Sequence, residues 1–280
     1  YMAEGLIKHL GQGHELRIVA PEDVSDAMTR DVAVAMITQV DYRTGRMHDM
    51  QAVSDAAHDA GAVMLWDLAH SAGAVPVDIE ASGCAFAVGC SYKYLNGGPG
   101  APAFIYVRPD LIPKIDPALS GWLGHDAPFA FEPSYRHAAG IERMRVGTPP
   151  VLQLSALEKA LEAWDDVDMQ DLRRASLELS ELFIAQVEAR CPDLQLASPR
   201  NAAERGSQVS FSHPEGYAIV QALIAQDVIG DFRAPNIMRF GFTPLYLDKA
   251  DVIRATEILE HVMNDRLWDR PEFKITRRVT

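Results

Sequence analysis

The sequence predicts an α/β protein: a large domain with a mostly parallel sheet flanked by helices, then a smaller α+β domain at the carboxyl end. Three observations carry this. Helical patterns alternate with short apolar runs over residues 1–115, the order expected of a parallel sheet wrapped by helices. Runs such as "VAVAMITQV" are continuously apolar, as expected of a strand buried on both faces. From about Leu172 the order becomes helix, strands, helix, strands, helix.

In order, "YMAEGLIKHL" reads as helix, "HELRIVA" as strand and "VAVAMITQV" as buried strand. "DMQAVSDAAHDAG" reads as a helix with Gly61 as its C-cap. "AVMLWDL", "FAVGCSY" and "PAFIYV" read as strands. Residues 116–148 are rich in Gly, Pro, His and aromatics and form one long loop, a feature usually tied to function. "PPVLQLSALEKALEAWDDV" opens on prolines and reads as a long amphipathic helix. A helix over 172–190, strand "SQVSFSH", helix "EGYAIVQALIAQD", strands "VIGDFR" and "IMRFGFTP" and helix "KADVIRATEILEHVMN" complete the chain. The divisions expected are 1–148 in the large domain, 149–171 as a connecting helix and 172–280 as the small domain.

Composition narrows the partners. The 280 residues are 48% hydrophobic and 23% charged, with a net charge of −13. An acidic chain repels nucleic acid and anionic membrane surfaces. No apolar run approaches the ~18–20 residues of a membrane helix, and no secretion signal is visible. Cys84, Cys90 and Cys191 are odd in number without paired spacing, which suggests free core thiols in a reducing cytoplasm. The nine histidines form no HExxH or paired-Cys pattern, so no metal site is expected, and His125 and His137 read as ordinary loop residues. The chain opens at Tyr1 on a helix already in progress, so an upstream segment is expected.

The chemistry centres on "SYKYLNGGPG". Lys93 follows a predicted strand and precedes a glycine-rich turn, and Asp67 ends the preceding strand in "AVMLWDL". Ligands of parallel sheets bind beyond the carboxyl ends of strands. A salt bridge and a shared pocket are both open on spacing alone. A lysine that forms an imine must be partly deprotonated, and burial or a nearby cation lowers its pKa. A pyridoxal phosphate ring needs a carboxylate at its nitrogen to act as an electron sink. Lys93 and Asp67 suit these two roles. Tyr92 offers a phenol for phosphate or proton transfer, or simply packs in the core. Arg239, inside the apolar "IMRFGF", needs a partner, either a substrate carboxylate or an internal acid.

The long string "WDLAHSAGAVPVDIEASGCAFAVGCSYKYLNGGPG" resembles the kynureninase family of pyridoxal phosphate enzymes, within the aspartate-aminotransferase-like (fold type I) superfamily. The resemblance continues through "LSGWLGH", "VGTPP", "RGSQVSFSHPEGYAIVQALI" and "VIGDFRAPNIMRFGFTPLY". It implies Lys93 as the Schiff-base lysine, Asp67 at the ring nitrogen and His70 against the cofactor. It implies Tyr92 at the phosphate and in proton transfer. Trp122 and Thr148 would complete the phosphate pocket from the neighbouring subunit of a homodimer, and Arg239 would clamp the substrate α-carboxylate. The reaction implied is hydrolysis of L-kynurenine, or its 3-hydroxy form, to anthranilate or 3-hydroxyanthranilate and L-alanine, in tryptophan catabolism in the cytoplasm. The family's upstream ring-stacking aromatic and phosphate-binding threonines have no counterpart in this sequence. Rival readings are a class V aminotransferase or cysteine desulfurase, or a non-catalytic homologue. The cysteine positions argue against a desulfurase, and the joint presence of Asp67, Tyr92, Lys93 and Arg239 argues against loss of catalysis.

Overall fold

A computed structural model describes residues 1–275. Helix α1 (Met2–Leu10) ends where Gly11 turns left-handed, and it buries no residue. Residues 14–20, expected as a strand, are irregular and open to solvent, with Ile18 86% exposed. A strand needs a hydrogen-bonding neighbour, and this segment pairs with none among the described residues.

Strand β1 (Val34–Thr38) leads to α2 (Met50–Ala60), which Asp49 caps by accepting from the Ala52 amide at 3.0 Å. Gly61, at φ 80°, ends α2 as predicted. Then come β2 (Val63–Asp67), β3 (Phe86–Cys90) and β4 (Ala103–Val107). The sheet order is β1-β2-β3-β4, with the first three strands parallel and β4 antiparallel to β3. A short loop rather than a helical crossover joins β3 to β4, and only an antiparallel return fits such a link. On one face Met64, Trp66 and Ala87 pack with Met50, Val53 and Ala57 of α2. Trp66 is wholly buried and donates its indole N–H to Ser54 Oγ at 3.0 Å. The opposite face leaves Val34, Met36, Val63 and Ile105 exposed. The expectation that "VAVAMITQV" is buried on both faces is therefore corrected. The run forms an edge strand, and nothing described covers its second face.

Residues 116–148 are a loop of short 3₁₀ turns, as expected. The buried Arg143 knots it by donating to the carbonyls of Ile115, Ala138 and Ala139. Helix α3 (Val151–Leu161) buries no residue and passes through a 3₁₀ turn ending at Trp164. The long helix expected here is thus broken. Asp168 starts a separate helix, α4 (Met169–Arg190), accepting from the Gln170 and Asp171 amides at 2.7 and 3.1 Å. An aspartate that captures two free amides in this way sets a helix start more strongly than apolar periodicity carries a helix through it.

The carboxyl part contains β5 (Gln195–Leu196), β6 (Gln208–Ser212), α5 (Gly216–Ile224), β7 (Asp231–Arg233), β8 (Ile237–Gly241) and α6 (Lys249–Asn264). Its sheet, in the order β5-β6-β8-β7, is antiparallel throughout. Phe183, Ile184 and Val187 of α4 pack with Phe211, Phe240 and Phe242 and with Leu259 and Val262 of α6 in a second core. Each such side chain contributes about 1.5–3 kcal/mol by leaving water.

A polar seam joins the two sheets. Ser207 Oγ donates to the Ala74 carbonyl at 2.9 Å and accepts from Ser176 Oγ at 2.8 Å. Ser210 Oγ donates to the Arg43 carbonyl at 2.6 Å, and the Gly206 amide to the Gly45 carbonyl at 2.8 Å. A Cβ on Gly45 would stand 2.6 Å from the Gln208 carbonyl oxygen, so the seam is close-packed. Among the described residues no helix is long and apolar enough to cross a membrane.

Candidate active site

Asp67 ends β2 and Cys90 ends β3, and the two strands run parallel with Asp67 opposite Val88. Residues just beyond them therefore emerge at one edge of the sheet. After β2 the chain turns at once. Asp67 Oδ1 accepts from the Ala69 amide at 2.8 Å, and His70 and Ser71 follow in the turn. After β3 the glycine-rich loop closes tightly, with the Gly97 amide donating to the Ser91 carbonyl at 2.8 Å and the Asn96 amide to the Lys93 carbonyl at 2.9 Å. A Cβ on Gly97 would stand 2.9 Å from the Ser91 oxygen and 2.7 Å from Ala101 Cβ, so only glycine lets the loop fold back on itself. The two turns also meet. Gly73, at φ 81°, would place a Cβ 2.8 Å from the Tyr94 carbonyl.

This geometry holds Lys93 at the sheet edge, half-buried. Burial lowers its pKa from the ordinary lysine value, and Arg239 and Arg233 lower it further, while Cys90 and Asp67 oppose them. Lys93 makes no ion pair within 4.0 Å among the described residues. Its Nζ lies 5.3 Å from the Tyr92 ring centroid. Asp67 and Lys93 are thus close enough to act on each other without a salt bridge. His70 is held near pKa 4, first by burial and then by the positive charges of Lys93 and Arg239, so its imidazole is neutral at pH 7. The partly exposed Tyr92 phenol is pushed above its usual pKa by burial and by Cys90 and Asp67, and keeps its proton at neutral pH.

Arg239 reaches the same edge from β8, its side chain 10% exposed. It forms an ion pair with Asp231 and donates Nη1–H to the Tyr42 carbonyl at 2.5 Å, while its buried Nε has no partner among the described residues. The internal acid that the sequence left open as a partner is therefore present, and it takes only part of the guanidinium's donor capacity. Trp122 lies partly exposed on the 116–148 loop with its ring edge-on to Phe129 at 5.5 Å, and Thr148 is exposed just before α3. No hydrogen bond, ion pair or ring contact joins either of them to the Lys93 cluster among the described residues. Asp67, His70, Tyr92, Lys93 and Arg239 thus fall together at one edge, and no described contact joins Trp122 or Thr148 to them.

Sequence reasoning missed Arg233, Asp231 and Tyr94. Asp231 stands directly opposite Arg239 across the β7–β8 pair, and Arg233, two residues on, shares its face. The alternation in "DFR" was a signal, but the strand register was needed to aim it. Tyr94 is half-buried and donates its hydroxyl to the Ser207 carbonyl at 3.1 Å.

Solved structures share this arrangement of elements. The chain matches an apo cysteine desulfurase from Thermococcus onnurineus NA1 with a TM-score of 0.75 at 18% identity, covering 94% of this chain and 69% of that one. It matches an alanine–glyoxylate aminotransferase from Nostoc sp. with a TM-score of 0.69 at 20% identity, covering 94% and 72%. A mutant of the C-DES lyase with glycine covalently linked to its PLP cofactor matches at 0.74 and 19%, covering 87% and 64%. These neighbours share this chain's α/β fold, in which a carboxylate ends one strand and a lysine follows the parallel strand beside it. Residues 172–259 match the family model for the kynureninase C-terminal domain. The whole chain is 50% identical to kynureninases from Pseudomonas fluorescens and Burkholderia mallei, spanning 68% of each. The chain belongs to the kynureninase family.

Proposed function

We propose that this protein hydrolyses L-kynurenine to anthranilate and L-alanine, with pyridoxal phosphate held at the edge where β2 and β3 end. The residues present fit that group. A lysine amine is biased toward its neutral form by burial and two guanidiniums, a carboxylate ends the adjacent strand, and a buried Arg239 Nε lacks a partner among the described residues. When bound, the cofactor supplies an electron sink for the pair left as bonds at the substrate amino acid break.

The chain's own groups do the rest. Lys93 Nζ would hold the cofactor, and its amine, free of the cofactor, would serve as the base for the Cα proton. Asp67 would face the ring nitrogen and hold its proton. His70, uncharged at pH 7, would add no positive charge beside the cofactor. Tyr92, still protonated at neutral pH, delivers a proton to Cβ of the departing alanine fragment. Arg239 takes the α-carboxylate, which turns the Cα–H bond toward Lys93.

We read the assembly as a homodimer with a shared site. Leu119, Phe129, Phe131, Val151 and Leu152 are each more than 60% exposed, a cluster of apolar side chains along one segment of the kind that marks an interface. The pairing brings the partner's copies of Trp122 and Thr148 to the phosphate. Three free cysteines support a cytoplasmic location, and the two cores support reading 1–148 and 172–280 as separate domains.

The observation that carries the reading is the placement of Lys93 and Asp67 at one sheet edge. Incubation with pyridoxal phosphate, borohydride reduction and peptide mass analysis will place the added mass on Lys93, and anthranilate fluorescence will report turnover. A cofactor mass on another lysine, or release of no anthranilate, rules the reading out. Sedimentation of the Trp122→Ala variant tests the dimer.

A further inference from the structure

We propose that Asp231 is a positioning residue for substrate binding, holding Arg239 so that its remaining N–H groups face the substrate carboxylate; the inference rests on the reading of Arg239 given above. Three observations support it. First, Asp231 and Arg239 are directly opposed across β7 and β8, so their side chains share a face by register. Second, the Asp231 carboxylate is divided. One oxygen pairs with Arg239, and the other accepts from Arg233 Nη1 at 2.6 Å. Two guanidiniums on one carboxylate leave a single net positive charge at this spot, which suits a ligand with one carboxylate. Third, Asp231 and the Tyr42 carbonyl, 2.5 Å from Nη1, engage the terminal nitrogens and fix the guanidinium plane, while Nε stays buried with no partner among the described residues. A buried charged donor without an acceptor is costly. An incoming carboxylate would meet the N–H groups that Asp231 and Tyr42 leave unused on the terminal nitrogens, so the pre-aimed arginine binds it without losing the freedom of a loose side chain.

The same pairing keeps the guanidiniums in place beside Lys93 and His70, whose protonation both arginines bias. Asp231 touches neither cofactor nor reacting atoms in this scheme, and it acts through Arg239.

The test uses Asp231→Asn, which keeps the shape and removes the charge, and Asp231→Glu, which keeps the charge and displaces it. Both are assayed as the pyridoxal phosphate-loaded enzyme. KM for L-kynurenine is expected to rise about 10- to 100-fold in Asp231→Asn, as for loss of a charged hydrogen bond, with kcat within about threefold. The inhibition constant of L-alanine, which shares the α-carboxylate, should rise in parallel, and the thermal midpoint should stay put. Asp231→Glu should recover part of the loss, and it carries the test alone if Asp231→Asn fails to fold. Combined with Arg239→Lys, the Asn variant should add little further loss. Unchanged KM and L-alanine inhibition, or a lowered thermal midpoint with both constants unmoved, overturns the proposal. If Arg239→Lys itself leaves KM unchanged, it is the carboxylate reading of Arg239 that fails.

Discussion

The Tyr94 hydroxyl donates to the Ser207 carbonyl at 3.1 Å, tying the loop that carries Lys93 to the start of β6 in the other sheet. The same serine's hydroxyl bridges Ser176 of α4 and the Ala74 carbonyl behind the Asp67 turn. One residue thus fastens both turns of the site to the carboxyl half. Ser207→Ala should lower unfolding stability by about 1–3 kcal/mol, because the buried Ser176 hydroxyl and Ala74 carbonyl both lose a partner. Tyr94→Phe should cost less, since the Ser207 carbonyl keeps the Phe242 amide at 2.8 Å. Urea denaturation with an unchanged slope measures both, and the reverse order would contradict this account of the seam.

Gly73→Ala should impair cofactor binding more than folding. The residue sits at φ 81°, and a Cβ would press on the Tyr94 backbone at 2.8 Å, displacing the Lys93 loop from the Asp67 turn. The spectral titration with pyridoxal phosphate should weaken at least tenfold while the circular dichroism spectrum stays native. Unaltered cofactor affinity would show that the two turns adjust independently.

His70 predicts a pH dependence of stability. Its pKa is about 4 in the folded protein, below the ordinary 6.5. As pH falls, the unfolded chain takes up this proton first. The stability gained by keeping the imidazole neutral is therefore complete above about pH 6.5 and drains away between 6.5 and 4, by at most about 1.4 kcal/mol per pH unit. His70→Gln should flatten that part of the profile of unfolding free energy against pH. A slope equal to that of the unmodified protein would mean that His70 is not held neutral.

Asp67→Asn tests the acid. Without a negative charge at this edge, the proton on the cofactor ring nitrogen loses its partner, so kcat should fall by two or more orders of magnitude and cofactor affinity by about tenfold. Stability without cofactor should change little, because the Asp67 side chain makes one local hydrogen bond, to the Ala69 amide, and an asparagine oxygen can accept it. Full turnover in the variant would remove Asp67 from the site.

Much of this protein was legible in its sequence because the signals were local. The strand ending in Asp67, the helix closed by Gly61 and the glycines that fold the Lys93 loop each follow from neighbouring residues and from backbone sterics. What failed was non-local. "HELRIVA" has a strand's composition, but a strand exists only by pairing, and no described neighbour takes it. "VAVAMITQV" looks buried on both faces, but lying at the sheet's edge decided its exposure. The end of the helix before Asp168, by contrast, was a local signal passed over: that side chain caps the next helix by accepting from the Gln170 and Asp171 amides.

By itself the chain of residues determined which groups are present for chemistry: an acid, an imidazole, a phenol and an amine spaced to leave consecutive strands. Only the folded arrangement decided that Lys93 makes no ion pair among the described residues, that Arg239 crosses to it from the other sheet, and that Asp231 shares itself between two guanidiniums. Lys93 and Arg239 lie more than a hundred positions apart and meet only through tertiary packing, while Asp231 is aimed at its two arginines by the β7–β8 register, and burial then lowers charge stability in ways no short stretch of sequence encodes.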